Sequence, residues 1–113
     1  MIDLSHIEHI YLYPGMTDMR LGIYGLRTKI LESSELTPAS LYIFCGKAKN
    51  QLKIIEVTNT MVWLYQSKMV KGKFIWPDIG SKTDITKEQL NVIIEGMSLI
   101  NSIEHKNKTF SIY

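Results

Sequence analysis

The most distinctive chemistry in this sequence belongs to two arginines, Arg20 and Arg27, the only ones in the chain. A guanidinium presents a rigid fork of donors that matches a phosphate, whereas a lysine acts as a point charge. On an exposed helix edge the pair would suit phosphate clamps, and Arg20 has a second reading as a structural partner of Asp18 or of loop carbonyls. Lysines gather in the middle of the chain: Lys47, Lys49, Lys53, Lys68, Lys71 and Lys73 lie between Leu41 and Pro77 against one acid, Glu56, while the remainder holds seven basic residues and ten acids. Such a block is a candidate electrostatic footprint for phosphate, although on charge alone a solvated lysine surface is the commoner case. Aromatic residues interleave with the lysines in Trp63-Leu64-Tyr65-Gln66-Ser67-Lys68 and Lys71-Gly72-Lys73-Phe74-Ile75-Trp76-Pro77. Aromatic faces stack on unpaired bases while lysines follow the backbone, or they simply fill a core.

Catalysis needs groups that converge, and few do. Asp3, Asp18, Asp78, Asp84 and Glu88 are the acids a two-metal nuclease would recruit, but Asp18 and Asp84 read as helix-start residues and Asp78 follows a proline in a loop. His6 and His9 stand three apart at a strand end, where that spacing puts them on opposite faces, and His105 lies in the tail. No metal, no cofactor and no catalytic residue is assigned. Gly15, Gly22 and Gly25 lack the Gly-Lys-Ser/Thr ending of a phosphate loop and fit no dinucleotide fingerprint. Cys45 is the lone cysteine, within Tyr42-Ile43-Phe44-Cys45, and reads as a small buried hydrophobe.

The elements that must position these residues follow from periodicity. A strand over Ile7–Tyr13 stops at Pro14-Gly15, and a helix is expected from Met19 to Glu32, capped by Thr17 or Asp18. Met19, Ile23, Leu26 and Ile30 make its buried stripe, with Arg20, Tyr24 and Arg27 a second stripe beside it. Gly22 and Gly25 then fall inside that helix, where close packing on the sheet is the leading reason for them. Strands are expected at Leu41–Cys45, Leu52–Thr58, Met61–Val70 and Lys73–Trp76, joined by short turns. Thr86-x-x-Gln89 reads as a capping box opening a helix with Leu90, Ile93, Ile94 and Met97 on one face. The fold class is therefore α+β: a small antiparallel β-meander of about five strands with two helices packed against it. It forms a single domain over 1–103, followed by a polar tail over 104–113 expected to be loosely held or engaged in a homo-oligomer contact.

At 113 residues, 45% hydrophobic and 21% charged, the composition is that of an ordinary globular domain. Apolar runs are too short to span a membrane and the start carries no secretory pattern, so a cytoplasmic location is expected.

Taken together, Thr17-Asp18-Met19-Arg20-Leu21-Gly22-Ile23-Tyr24-Gly25-Leu26, Leu52-Lys53-Ile54, Trp63-Leu64-Tyr65, Lys71-Gly72-Lys73-Phe74-Ile75-Trp76-Pro77, Gln89-Leu90 and Glu95-Gly96 resemble, in order and spacing, the TnpB-type accessory protein of the insertion-sequence-sixty-six transposon family, the product of its second open reading frame. The likeness runs from about Ile10 to Leu99, with Asp18, Arg20, Gly22, Gly25, Gly72, Phe74, Trp76 and Pro77 as its motif positions. It implies an accessory role in DNA transposition beside a separate, larger transposase subunit, and it carries no catalytic residues over. The sequence departs from the pattern at Val57-Thr58, where a Trp-Asp pair is usual, at Met61, usually glycine, and at Ser67-Lys68, usually Lys-Arg.

The leading reading is a module that binds DNA at the transposon ends, or the transposase, without catalysis, using Arg20, Arg27, Lys53, Lys68, Lys71 and Lys73. A second is a protein-interaction module with no DNA contact, acting through the aromatic strand face or the last helix. A third, distant one is a small metal-dependent nuclease built on Asp18.

Overall fold

Strand β2 (Ser40–Cys45) is buried on both sides, because its alternating residues feed two separate cores. The computed structural model describes residues 3–94. Around β2 stand β1 (His9–Leu12), β3 (Gln51–Val57), β4 (Val62–Lys68) and the two-residue β5 (Thr83–Asp84), in the spatial order β4-β3-β2-β1-β5. Helix α1 (Ile23–Leu31) joins β1 to β2, and α2 (Lys87–Ile94) follows β5. The sheet is mostly antiparallel, and the fold is α+β with two helices, as expected. The β2-β3-β4 meander is present, with Ile43 opposite Ile54 and Glu56 opposite Trp63.

β1 enters the sheet differently from a plain meander. It pairs parallel to β2, Ile10 with Leu41 and Leu12 with Ile43, and a parallel neighbour requires a crossover connection, which α1 supplies. On the α1 side, Leu26 and Ile30 pack with Tyr13, Tyr42, Phe44, Ile55 and Val57. On the other side, Ile10, Leu12, Leu41, Ile43, Cys45, Leu52 and Ile54 are closed over by Phe74, Trp76 and Leu90. Leu90 is placed by the expected capping box: the Gln89 N–H donates to Thr86 Oγ1 at 3.0 Å, and the Thr86 N–H donates to Gln89 Oε1 at 2.8 Å.

Two local expectations are corrected. α1 begins at Ile23 rather than Met19, because Asp18 uses its carboxylate in a turn of its own: Oδ1 accepts the Arg20 N–H at 2.9 Å, and the Asp18 carbonyl accepts the Leu21 N–H at 3.1 Å. Gly22, in extended backbone, takes the N-cap position with no side-chain cap. It is therefore no interior helix glycine, and a β-carbon there would meet nothing within 4 Å, while one on Gly25 would meet Leu21 rather than the sheet. Ile23, expected in the core, is 41% exposed at the start of the shortened helix. Lys73–Trp76 is not a strand either. Phe74 and Trp76 are buried with the alternation of one, but that alternation comes from two side chains plugging the core, with the Trp76 indole N–H donating to the Tyr13 carbonyl at 2.9 Å. The fifth strand is instead Thr83–Asp84, antiparallel to β1. Met97, Glu95-Gly96 and the 104–113 tail lie outside the described residues.

Candidate nucleic-acid interface

One end of the sheet is formed where β1, β2 and β4 finish and β3 begins. Three segments are knitted together there by backbone hydrogen bonds. The Thr17 N–H donates to the Cys45 carbonyl (2.8 Å), Met69 to Asn50 (2.7 Å), Phe74 to Lys49 (2.6 Å) and Gly15 to Pro77 (2.8 Å). Segments 15–22, 46–50 and 68–78 are thereby brought side by side, and they carry Arg20, Lys47, Lys49, Lys68, Lys71 and Lys73 against only two acids, Asp18 and Asp78. Residues spread across more than fifty positions of sequence become one basic end of the molecule.

Both acids are neutralised locally. Arg20 grips Asp18 with two arms, Nε to Oδ1 at 3.0 Å and Nη2 to Oδ2 at 2.8 Å. The guanidinium, helped by the Arg20 backbone N–H, holds the Asp18 carboxyl at about 2, well below the usual carboxylate range. Arg20 is nonetheless almost fully exposed, and a guanidinium has five N–H donors, so those not engaged by Asp18 face solvent. Lys49 Nζ meets Asp78 Oδ1 at 2.7 Å. Lys47, Lys68, Lys71 and Lys73 have no ion-pair partner within 4 Å among the described residues, and all four are exposed. The turn that separates Lys71 from Lys73 depends on Gly72, whose φ of +93° an L side chain rarely adopts.

The remaining expected contacts fall elsewhere. Arg27 is exposed in the middle of α1, about 7 Å along the helix axis from Gly22. Lys53 is 8% exposed, with its ammonium donating to the Leu21 carbonyl at 2.7 Å, so it fastens the turn before α1 to the sheet. Among the motif positions, Phe74 and Trp76 build the core, while Pro77 is exposed and its carbonyl braces the Gly15 turn. Among the described residues no group of three or more His, Cys, Asp or Glu side chains is arranged to hold a metal ion. Burial pushes the Cys45 thiol up to about 11.

A polar cluster that sequence reading missed lies under the sheet face away from α1. Glu56 is 5% exposed; its Oε1 accepts the Tyr65 hydroxyl at 2.6 Å and its Oε2 lies 3.1 Å from His6 Nε2. The carboxylate hydrogen bond, with burial, drives the Tyr65 phenol up to about 12. The one signal in the sequence is an acid at an inward position of a strand; nothing in it pairs His6 with a residue fifty positions away. No helix among the described residues is long and apolar enough to cross a membrane.

The fold and this end together define a small α+β domain whose cations gather where its strands terminate. The chain belongs to the IS66 Orf2-like protein family, whose model matches residues 8–104. That membership ties it to IS66-type transposition in an accessory capacity. It is also similar to an uncharacterised protein, y4hO, of Sinorhizobium fredii, 29% identical over 100 residues that cover 86% of this chain and 87% of that protein. No solved structure matches the chain.

Proposed function

We propose that the chain is a non-catalytic accessory that contacts the DNA of the transposon ends through its basic end, in the cytoplasm and beside the element's larger transposase. The observation that carries this is the pairing pattern: both acids of that end are bound by Arg20 and Lys49, while Lys47, Lys68, Lys71 and Lys73 carry no ion pair among the described residues. Phosphates are the partner such an end lacks. Binding to a terminal-repeat duplex should weaken with salt with a log–log slope of about −4, because each of four neutralised phosphates gives up its counterions. Undetectable binding at low salt would remove the reading.

A second reading rests on β4. Trp63 is 50% exposed and Met61 55%, and β4 is the sheet's edge strand, its outer side unpaired among the described residues. An exposed aromatic on an open edge suits docking of a protein segment. Copurification with the transposase in the absence of DNA, lost in Trp63→Ala, tests it.

A further inference from the structure

The hydrogen-bonding parity of β4 is fixed at both of its ends. The Met61 carbonyl accepts the Thr58 N–H at 2.9 Å and the Met69 N–H donates to the Asn50 carbonyl at 2.7 Å, so the odd-numbered residues turn their backbone groups toward β3. The N–H and C=O of Val62, Leu64, Gln66 and Lys68 therefore point out of the sheet, where no strand pairs with them among the described residues. Natural sheets blunt such an edge with a bulge, a proline or charges. Here the pairing with β3 runs one residue to one from Val62 to Lys68, without a bulge, and residues 62–67 hold no charge and no proline. Lys68, at the far end, is the one protective residue of the strand.

An unprotected edge pairs with another strand, and the strand most available to it is that of its own copy. Antiparallel pairing about a two-fold axis at Leu64 fits β4 to itself. Leu64 then faces Leu64 of the second copy, and Val62 and Gln66 face each other on either side. The outward N–H and C=O groups of all three residues are matched, in about six hydrogen bonds. On the face away from α1 the same register sets Trp63, 50% exposed, beside Tyr65 of the second copy, twice over by symmetry. Aromatic pairs across strands are among the stabilising ones. Lys68 falls beyond the paired stretch, opposite Thr60, and the two Lys68 residues stand about 27 Å apart along the strands. A register shifted toward Lys68 would bring those like charges together.

We propose that β4 is the interface of a two-fold homodimer, in which two copies of the chain join their five-stranded sheets edge to edge. This rests on β4 being a docking edge and names its occupant. A neutral edge offers nothing to a charged segment, whereas its own copy returns the same neutral, aromatic strand. The axis stands perpendicular to the sheet, so both α1 helices lie on one face of the joined sheet. The two basic ends are sent to opposite extremities of the dimer.

The test is sedimentation velocity and amide hydrogen exchange on the full chain over a concentration series, with the folding of each variant checked by its melting temperature. The expected result is a monomer–dimer equilibrium in which exchange at Leu64 and Gln66 slows as concentration rises, while Trp63 and Tyr65, already bonded to β3, change little. Gln66→Pro deletes an outward donor without touching a bond to β3, and should raise the dimer dissociation constant about ten-fold. Trp63→Lys, at an exposed position, removes both aromatic pairs and should raise it several-fold, which keeps the test decisive if the proline variant does not fold. A chain that stays monomeric up to about 1 mM overturns the inference. So does a monomer whose Leu64 and Gln66 amides are already protected, since the chain then covers its own edge, and so does a dimer that both variants leave unchanged. A monomer that still loses the transposase in Trp63→Ala overturns the dimer and leaves β4 a docking edge for that partner.

Discussion

β3 and the basic end contain the same kinds of charged residue and use them in opposite ways. In β3, Lys53 and Glu56 point to opposite faces of the sheet and both are buried, each with named partners: the Leu21 carbonyl for one, the Tyr65 hydroxyl and His6 for the other. At the basic end, Lys47, Lys68, Lys71 and Lys73 stand exposed, with the nearby acids already bound by other cations. A buried charge must be paired to be tolerated, so its partner is part of the fold; an exposed one leaves its partner to be chosen by function. Lysine content therefore says little about binding until burial has sorted the lysines.

The largest effect expected from that contrast is on the exposed set. Replacing Lys47, Lys68, Lys71 and Lys73 together with Ala should lower affinity for terminal-repeat DNA on the order of a thousand-fold at ~0.1 M salt and flatten the salt dependence, since four phosphate contacts are lost. Thermal stability should stay close to wild type, because exposed lysines contribute little to it. A large loss of melting temperature would show that these residues are architectural and break the contrast. Next in size is the buried acid. Glu56→Ala removes the acceptor of two groups and should destabilise the fold by about 2 kcal/mol, a drop of roughly 10 °C in Tm, with DNA affinity intact. Glu56→Gln, which still accepts from Tyr65, should recover part of that loss.

Lys53 sharpens the comparison because its place in the lysine block and in the family pattern groups it with the phosphate contacts, while its burial does not. Lys53→Met should cost about 1 kcal/mol of stability, the value of one hydrogen bond, and leave the slope of the DNA salt series unchanged. A slope smaller in magnitude by about 0.9 would return Lys53 to the interface. The case also shows where the sequence is legible. Periodicity located β1 to β4, and the capping box located α2, because those signals are local. What escaped was non-local: Lys53 reaching Leu21, His6 reaching Glu56, and Trp76 plugging the core in irregular backbone that mimics a strand. The start of α1 escaped for a local reason, since Asp18 had two backbone donors to choose from and took the one in its own turn. The convergence of lysines from two separate loops with Arg20 depends on strand order, and charge counting along the chain finds the block but not the end of the sheet it occupies.

The smallest effect is at Arg20, which sits on the boundary between the two uses of charge: exposed like the basic lysines, partnered like the buried residues. Its grip depresses the folded Asp18 carboxyl to about 2 from an ordinary 3.8. A depressed carboxylate contributes stability that is fully present above its unfolded value and is lost as pH falls toward the folded one, so the relevant window runs from about 4 down to about 2. A carboxyl-detected NMR titration should place the Asp18 midpoint near 2, and Arg20→Ala should return it toward 3.8 with little change in stability at neutral pH, because an exposed pair is screened by water. If DNA engages Arg20 through the donors that Asp18 leaves unused, Arg20→Ala also lowers the magnitude of the salt slope by about 0.9. If only the Asp18 titration responds, the guanidinium belongs with Lys53 as a residue of the fold, and the interface consists of lysines alone.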